Sequence, residues 1–251
     1  MHEQFHIIAF VLFFTIAALY SSIGHAGASG YLAVMALLSF TPESIKPTSL
    51  ILNIIVAAIA SFKFISAGYF DRKIFFSLII FSIPASFFGG YLSLSPIYFK
   101  LISGIFLIVA AFLLLVKKNI KADEIKEVKS LIMWSALLGS LIGFLSGIIG
   151  VGGGIFLTPL LLVLGWTKVK NASGISALFI LFNSISGLMG HMSAVKNVDS
   201  KIGYWVIAVV IGGFIGSYLG SKRFNNKVIL YCLFVILLTA GLKFIFIDTM
   251  K

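Results

Sequence analysis

The sequence predicts an all-α polytopic membrane protein built from two repeats of about five hydrophobic segments, with eight to ten crossings. Three observations carry that prediction. Hydrophobic residues make up 60% of the 251 positions and charged residues 11%, with a mean hydropathy of +1.11, whereas a water-soluble domain carries about 25% charged residues. The apolar residues gather into ten runs, eight of which reach the ~17–25 residues that a spanning helix needs. A glycine-rich break, Gly150-Val151-Gly152-Gly153-Gly154, is echoed 126 residues earlier by Gly24-His25-Ala26-Gly27-Ala28-Ser29-Gly30. Glycine-interrupted apolar segments at matching places of two halves point to a transporter's binding site, because unwound backbone survives in a bilayer only where it lines a cavity.

The first run, 5–23, follows His2, Glu3 and His6 rather than Lys or Arg and is longer than a signal-peptide core, so it reads as an uncleaved first segment. The break at 24–30 separates it from the short run 31–40, and runs 48–66, 74–93 and 99–116 complete an N-terminal repeat, residues 1–116. The polar, mixed-charge stretch 117–130 reads as a cytoplasmic connector. Runs 131–149, 155–165, 172–193, 202–220 and 227–247 then repeat the series in a C-terminal repeat, residues 131–251. Beyond the breaks the halves align at an offset of 128, which pairs Thr48 with Ser176, Lys63 with His191 and Asp71 with Asp199. The short runs 31–40 and 155–165 span only if their helices continue into the glycines; otherwise each broken helix re-enters and leaves on one side.

The net charge of +11 comes from 19 Lys and Arg scattered over short loops, with no continuous basic face, which excludes nucleic acid as the partner. Positive-inside bias accounts for it. Ten crossings place 13 of the 19 on the side of the connector and eight crossings place 12 there, so the charges favour ten. Five crossings per half turn the second repeat upside down, so the expected arrangement is inverted. The single cysteine, Cys232, excludes an intramolecular disulfide and multi-cysteine metal sites. No cofactor or metal is expected. The protein is placed in the cell (inner) membrane as a multi-pass chain whose partners are the lipid bilayer and a small anion, with a homo-oligomer open.

The eight acidic residues all fall in loops or near run ends. Carriers of cations usually hold a carboxylate in mid-membrane, so this pattern argues for an anion. The candidate binding residues are His25 beside Gly24 and Gly27; Lys63 and His191, late in matching runs; and the stretch of Gly150, Gly152, Gly153 and Gly154. Three consecutive glycines exceed what helix packing requires, since each costs about 1 kcal/mol relative to alanine. They more plausibly end one helix and expose N–H groups at the start of the next, where roughly half a positive charge suits an oxyanion. Ser29, Thr48, Ser49, Asn53, Thr158, Ser176, Asn183, Ser184 and Ser186 are available to complete the shell. Each also has a plainer use in satisfying its own helix backbone, and Lys63 has one in snorkelling to headgroups.

The stretch Gly150 to Leu160, the positions Ser176, Asn183 and His191, and Val198-Asp199 resemble the sulfite exporter TauE/SafE family over the length and loop pattern of the whole chain. The resemblance implies a polytopic inner-membrane permease of two repeats that moves sulfite, sulfonates or related organic or sulfur-containing anions, outward more often than inward. The first half departs from the pattern, with Gly24-His25-Ala26-Gly27-Ala28-Ser29-Gly30 in place of a fuller glycine run and Ala33 where the second half has Pro159. The expected mechanism is alternating access around a midplane site where the two breaks meet.

An anion channel is the nearest alternative. A membrane subunit without flux is another. An enzyme reading rests on Gly27-Ala28-Ser29-Gly30, which matches the G-x-S-G pattern of rhomboid-type intramembrane serine proteases, with His191 as a base; four such residues arise easily in a glycine-rich membrane chain, and no enzyme is expected.

Overall fold

A computed structural model describes residues 2–38, 40, 42–92, 105, 108–109, 111–112, 130–192, 198 and 202–246. The helices are α1 (His2–Ser21), α2 (Ala28–Leu37), α3 (Pro42–Ser66), α4 (Arg72–Tyr91), α5 (Leu131–Ile149), α6 (Gly154–Leu164), α7 (Val169–Gly190), α8 (Ile202–Tyr218) and α9 (Asn226–Phe246). No strand occurs among the described residues. Five helices are long and apolar enough to cross a membrane, namely α3 from Ser44, α4, α5, α7, and α8 with the π-helical turn Leu219–Arg223 that extends it. Most of the run 99–116, the connector 117–129 and Asp199 lie outside the described residues.

Local chemistry sets several boundaries. The Asp71 carboxylate accepts from the Ile74 amide at 3.1 Å and caps α4, which satisfies one of the donors a helix start leaves free. Gly150, at φ +80°, ends α5, and its N–H reaches back to the Ser146 carbonyl at 2.8 Å. That left-handed turn, followed by positive φ at Gly152 and Gly153, would cost an L-residue roughly 1–2 kcal/mol at each position. The helix therefore breaks where the glycines are.

The most extensive packing is α4 on α5, followed by α1 on α8, α3 on α7, α4 on α7 and α3 on α8. Glycines line the two most extensive of these contacts. Gly139, Gly143 and Gly147, four apart on α5, face Leu78, Ser82 and Ser86 of α4, and a Cβ on any of them would fall within 3.0 Å of those residues' carbonyl oxygens. Gly212, Gly216 and Gly220 stand likewise against Phe14, Ala18 and Ser22 of α1 and its end. Such spacing lets backbones approach where lipid provides no hydrophobic drive between helices.

Two clusters fill the interior. One joins Phe13, Tyr31, Val56 and Trp205 from α1, α2, α3 and α8; the other joins Leu78, Leu157, Phe179 and Leu233 from α4, α6, α7 and α9. The outer surface is apolar as well, with Phe62 69%, Ile80 63% and Ile132 72% exposed. Apolar contact on both sides of a helix is what a bilayer asks of a chain, whereas water would penalise the outer face.

Candidate functional site

After Ser21 the chain leaves α1 through a tight turn in which the His25 amide donates to the Tyr20 carbonyl at 2.9 Å. Gly24 at φ +77° and Gly27 at φ +99° turn the backbone so that α2 starts at Ala28. His25 is then 2% exposed, and its ring projects toward α6. Its Nε2 lies 2.8 Å from the Thr158 hydroxyl, which donates to the Ser176 hydroxyl of α7 at 2.7 Å. The first break is thus tied to the helix that follows the second.

A second chain runs in parallel. The Ala28 amide, at the start of α2, donates to Asn53 Oδ1 at 3.1 Å, and Asn53 Nδ2 donates to Ser184 Oγ at 2.8 Å. Ser49 Oγ donates to the Ala28 carbonyl at 3.2 Å. Asn53 lies on α3 and Ser184 on α7, so the extensive contact between these helices carries a polar seam at its centre.

The glycines of the second break fit into this seam. A Cβ on Gly152 would stand 2.7 Å from Asn53 Nδ2 and from Ser184 Oγ, and one on Gly154 would stand 3.5 Å from Cδ2 of His25. Gly153 faces Ile142, Phe179 and the Cβ of Ser146. The start of α6, whose first amides have no intrahelical acceptor, is therefore flanked by His25, Asn53 and Ser184. Pro159 adds a freed acceptor, since a proline at that position has no N–H to give the Ile155 carbonyl.

Tyr20, His25, Ser29, Val151, Ile155 and Ile180 are among the residues around a cavity of about 10 Å³, the size of one water. Tyr20 and Ser29 pair by their hydroxyls at 3.0 Å on its wall. Buried side-chain polar atoms without a hydrogen-bond partner, among the described residues, are His25 Nδ1, Tyr31 Oη, Thr48 Oγ1, Ser146 Oγ and Trp205 Nε1.

Of the residues the sequence points to, the structure brings together Gly24, His25, Gly27, Ser29, Asn53, Gly152, Gly153, Gly154, Thr158 and Ser176, with Ser184 and Ser49. Four others stand elsewhere. Asn183, one residue from Ser184, faces the opposite way: its Oδ1 accepts from Ser82 at 2.7 Å and its carbonyl accepts from Ser86 at 2.9 Å, both on α4. Lys63 holds its Nζ 3.9 Å from the centre of the Phe214 ring, a cation–π contact at the end of α3. His191 caps α7, about 16 Å along the helix from Ile180 at 1.5 Å per residue. Burial, the Lys46 charge nearby and, in the opposite direction, the Gly90 carbonyl act on His191, and together they hold it below the ordinary histidine range. Gly150 packs against the Lys46 side chain, away from His25.

These positions also separate Ser29 from His191. The hydroxyl partner of Ser29 is Tyr20, and a serine–histidine dyad needs hydrogen-bond reach of about 3 Å. Tyr20 is the wall residue that sequence reasoning passed over, because a tyrosine near the end of an apolar run has the plain reading of an interfacial anchor. Its one distinguishing signal is its place one turn before the break.

Thr158 links His25 to Ser176, and its removal gives a direct check on the first chain. Thr158→Val keeps the side-chain shape but leaves His25 Nε2 and the Ser176 hydroxyl without their shared partner. The expected cost is about 1–3 kcal/mol of stability, read as a lower melting temperature in detergent, with Thr158→Ser close to wild type. Equal melting of the valine and serine variants would show that the chain is not under load.

Residues 8–244 match the family model described as sulfite exporter TauE/SafE. A "Probable membrane transporter protein" of Sinorhizobium fredii is 35% identical over 93% of this chain and 95% of its own length. One of Methanocaldococcus jannaschii is 30% identical over 74% and 73%, and the "Probable membrane transporter protein YunE" of Bacillus subtilis is 25% identical over 82% of each chain. No solved structure matches the chain significantly. With a family match that spans nearly its whole length and spanning helices that fit it, the chain belongs to the sulfite exporter TauE/SafE family of membrane transporters.

Proposed function

We propose that the protein exports a small oxyanion, with sulfite or a sulfonate first among the choices, by alternating access around the point where the two helix breaks meet. The observation that carries this reading is the start of α6: the backbone of Gly152 to Gly154 lies beside His25, Asn53 Nδ2 and Ser184, all buried. A helix N-terminus offers N–H donors and a partial positive charge, and Asn53, Ser184 and His25 add side-chain polar groups around it. Among the described residues, no carboxylate lines the cavity. The family description supports sulfur oxyanions as the class.

The same reading takes the chain as two inverted repeats with re-entrant or broken helices, residues 1–116 and 131–251 joined by a cytoplasmic connector. The packing supports it in one respect. Helix α4 lies on α5 and α7, and α8 lies on α1 and α3, so the fourth helix of each half embraces the first and third of the other. A cavity of about 10 Å³ is too small for an oxyanion, so loading requires the halves to rock apart at the Asn53–Ser184 contact.

The test is a thermal-shift screen of detergent-purified protein against sulfite, sulfate, thiosulfate, methanesulfonate, taurine, lactate and chloride, followed by flux in liposomes. One sulfur oxyanion is expected to stabilise the protein saturably, by about 2.7 kcal/mol at a hundred times its dissociation constant, and its flux is expected to saturate and show counterflow. Flux without saturation or counterflow would favour a channel. Silence toward every anion, with intact folding, would overturn the anion site.

A further inference from the structure

The hydrogen-bond chain that holds His25 also fixes where its hydrogen lies. Thr158 gives its one hydroxyl hydrogen to Ser176, so toward His25 it acts as an acceptor, and Nε2, 2.8 Å away, must carry the hydrogen. In the neutral ring Nδ1 is then a bare lone pair, and it is buried without a partner. An imidazolium would instead leave both a full charge and an N–H unpaired among apolar atoms, which is the costlier arrangement. The ring is part of the cavity lining, and its one unpartnered polar atom is this lone pair.

A lone pair repels the oxygens of an oxyanion, and the contact turns attractive only with a hydrogen between them. We infer that the His25 site takes its oxyanion together with one proton, held between His25 Nδ1 and a ligand oxygen, so that each anion moves with one proton. The inference rests on the anion reading above and names its coupling. An acid anion of the hydrogensulfite kind brings the proton as its own O–H and donates it to Nδ1. A sulfonate has no such O–H, so the proton comes from solvent onto Nδ1 and the ring becomes an imidazolium, with Nε2–H still on Thr158. A sulfonate and its proton together are neutral, and the proton takes sulfite from a dianion to a monoanion, so in either case the cost of enclosing the ligand falls.

The groups around the ring leave His25 as the acceptor of that proton. From α1 it meets Tyr20, with ring centres 6.5 Å apart. α2 brings Ser29 to the cavity and the Tyr31 hydroxyl to Gly27; α6 brings Gly154 and Thr158, and α7 brings Ser176 and Ile180. Among the described residues, no Asp, Glu, Lys or Arg lines the cavity. Tyr20 and Tyr31 are neutral acids near neutral pH and have no ready site for an added proton.

The experiment is calorimetric titration of the full-length protein in detergent with two probes: methanesulfonate, and sulfite in mildly alkaline buffer where it is the dianion. Buffers of different ionisation enthalpy report the protons taken up on binding. Uptake of about one proton per bound anion is expected, with affinity falling about tenfold per pH unit on the alkaline side. Ring 15N spectra of histidine-labelled protein give a second readout: one imidazole gains its second hydrogen when methanesulfonate is added, and that signal is absent from His25→Gln and present in His191→Gln. Saturable binding of either probe with no proton uptake and no change in the ring resonances would overturn the inference and leave the anion site standing. An imidazolium signal that vanishes in His191→Gln and persists in His25→Gln would overturn it too. Absence of saturable binding by both probes, in a protein that melts normally, would count against the anion site itself and take the coupling with it.

Discussion

Gly24→Ala is expected to destabilise the fold strongly, while the same substitution at Gly68 costs much less. Both residues have positive φ, +77° and +82°, so both substitutions incur the left-handed strain of about 1–2 kcal/mol. Their surroundings differ. At Gly68 nothing lies within 4 Å of where the methyl group would stand, whereas at Gly24 the backbone of Ser173 already occupies the space within 3.0 Å. Ser173 belongs to α7 and is fully buried, so the obstacle is main chain held at the centre of the bundle. Overpacking of that kind costs about 1–3 kcal/mol more. A total of about 3 kcal/mol corresponds to a melting temperature lower by roughly 10 °C in a chain of this size, against about 3 °C for the loop glycine. Size-exclusion profiles and melting curves in detergent read both. Equal losses at the two positions would mean that the α1–α7 approach is looser than the structure has it.

The contrast between these glycines shows where sequence reading works and where it stops. Apolar run length locates helices in a membrane protein because the bilayer leaves the backbone few other options, and runs 48–66, 74–93, 131–149, 172–193 and 202–220 emerge as α3, α4, α5, α7 and α8 within a few residues. Glycine clusters locate the places where helices stop, since three in a row have no good helical use. What does not follow from composition is direction. Asn183 and Ser184 are adjacent and equally polar, yet 100° of helical rotation sends one to Ser82 and the other to Asn53. Spacing also paired Lys63 with His191 at run ends without saying that one would cover a phenylalanine ring and the other sit beside Lys46. The seam of Asn53 and Ser184 and the chain of His25, Thr158 and Ser176 were present in the sequence only as a set of polar residues. Which members meet is decided by how the helices cross.

Those crossings make Asn53 the residue whose substitution separates binding from folding most sharply. Asn53→Asp is expected to retain the fold at a lower melting temperature, because the carboxylate is buried without a counter-charge, and to abolish anion binding. The Ala28 amide still finds an oxygen at position 53, and the Ser184 hydroxyl, which accepts from Asn53 Nδ2 at 2.8 Å, turns to donate to the new carboxylate. A carboxylate there is also stabilised by the start of α2, whose Ala28 amide already donates to Oδ1. A bound oxyanion at the start of α6 would stand close to it, since a Cβ on Gly152 would lie 2.7 Å from Asn53 Nδ2. At an effective dielectric constant of about 20, two like charges about 5 Å apart repel by about 3 kcal/mol, or more than a hundredfold in affinity. Asn53→Leu removes the same amide without adding charge: it leaves the Ala28 N–H without an acceptor and is expected to lower stability by about 1–3 kcal/mol, with a smaller loss of affinity per folded molecule. Thermal melts and titration with the oxyanion found by the screen distinguish the two variants. If the aspartate variant is folded and binds as tightly as wild type, the anion does not bind between α3 and the start of α6, and the seam serves only to fasten the helices together.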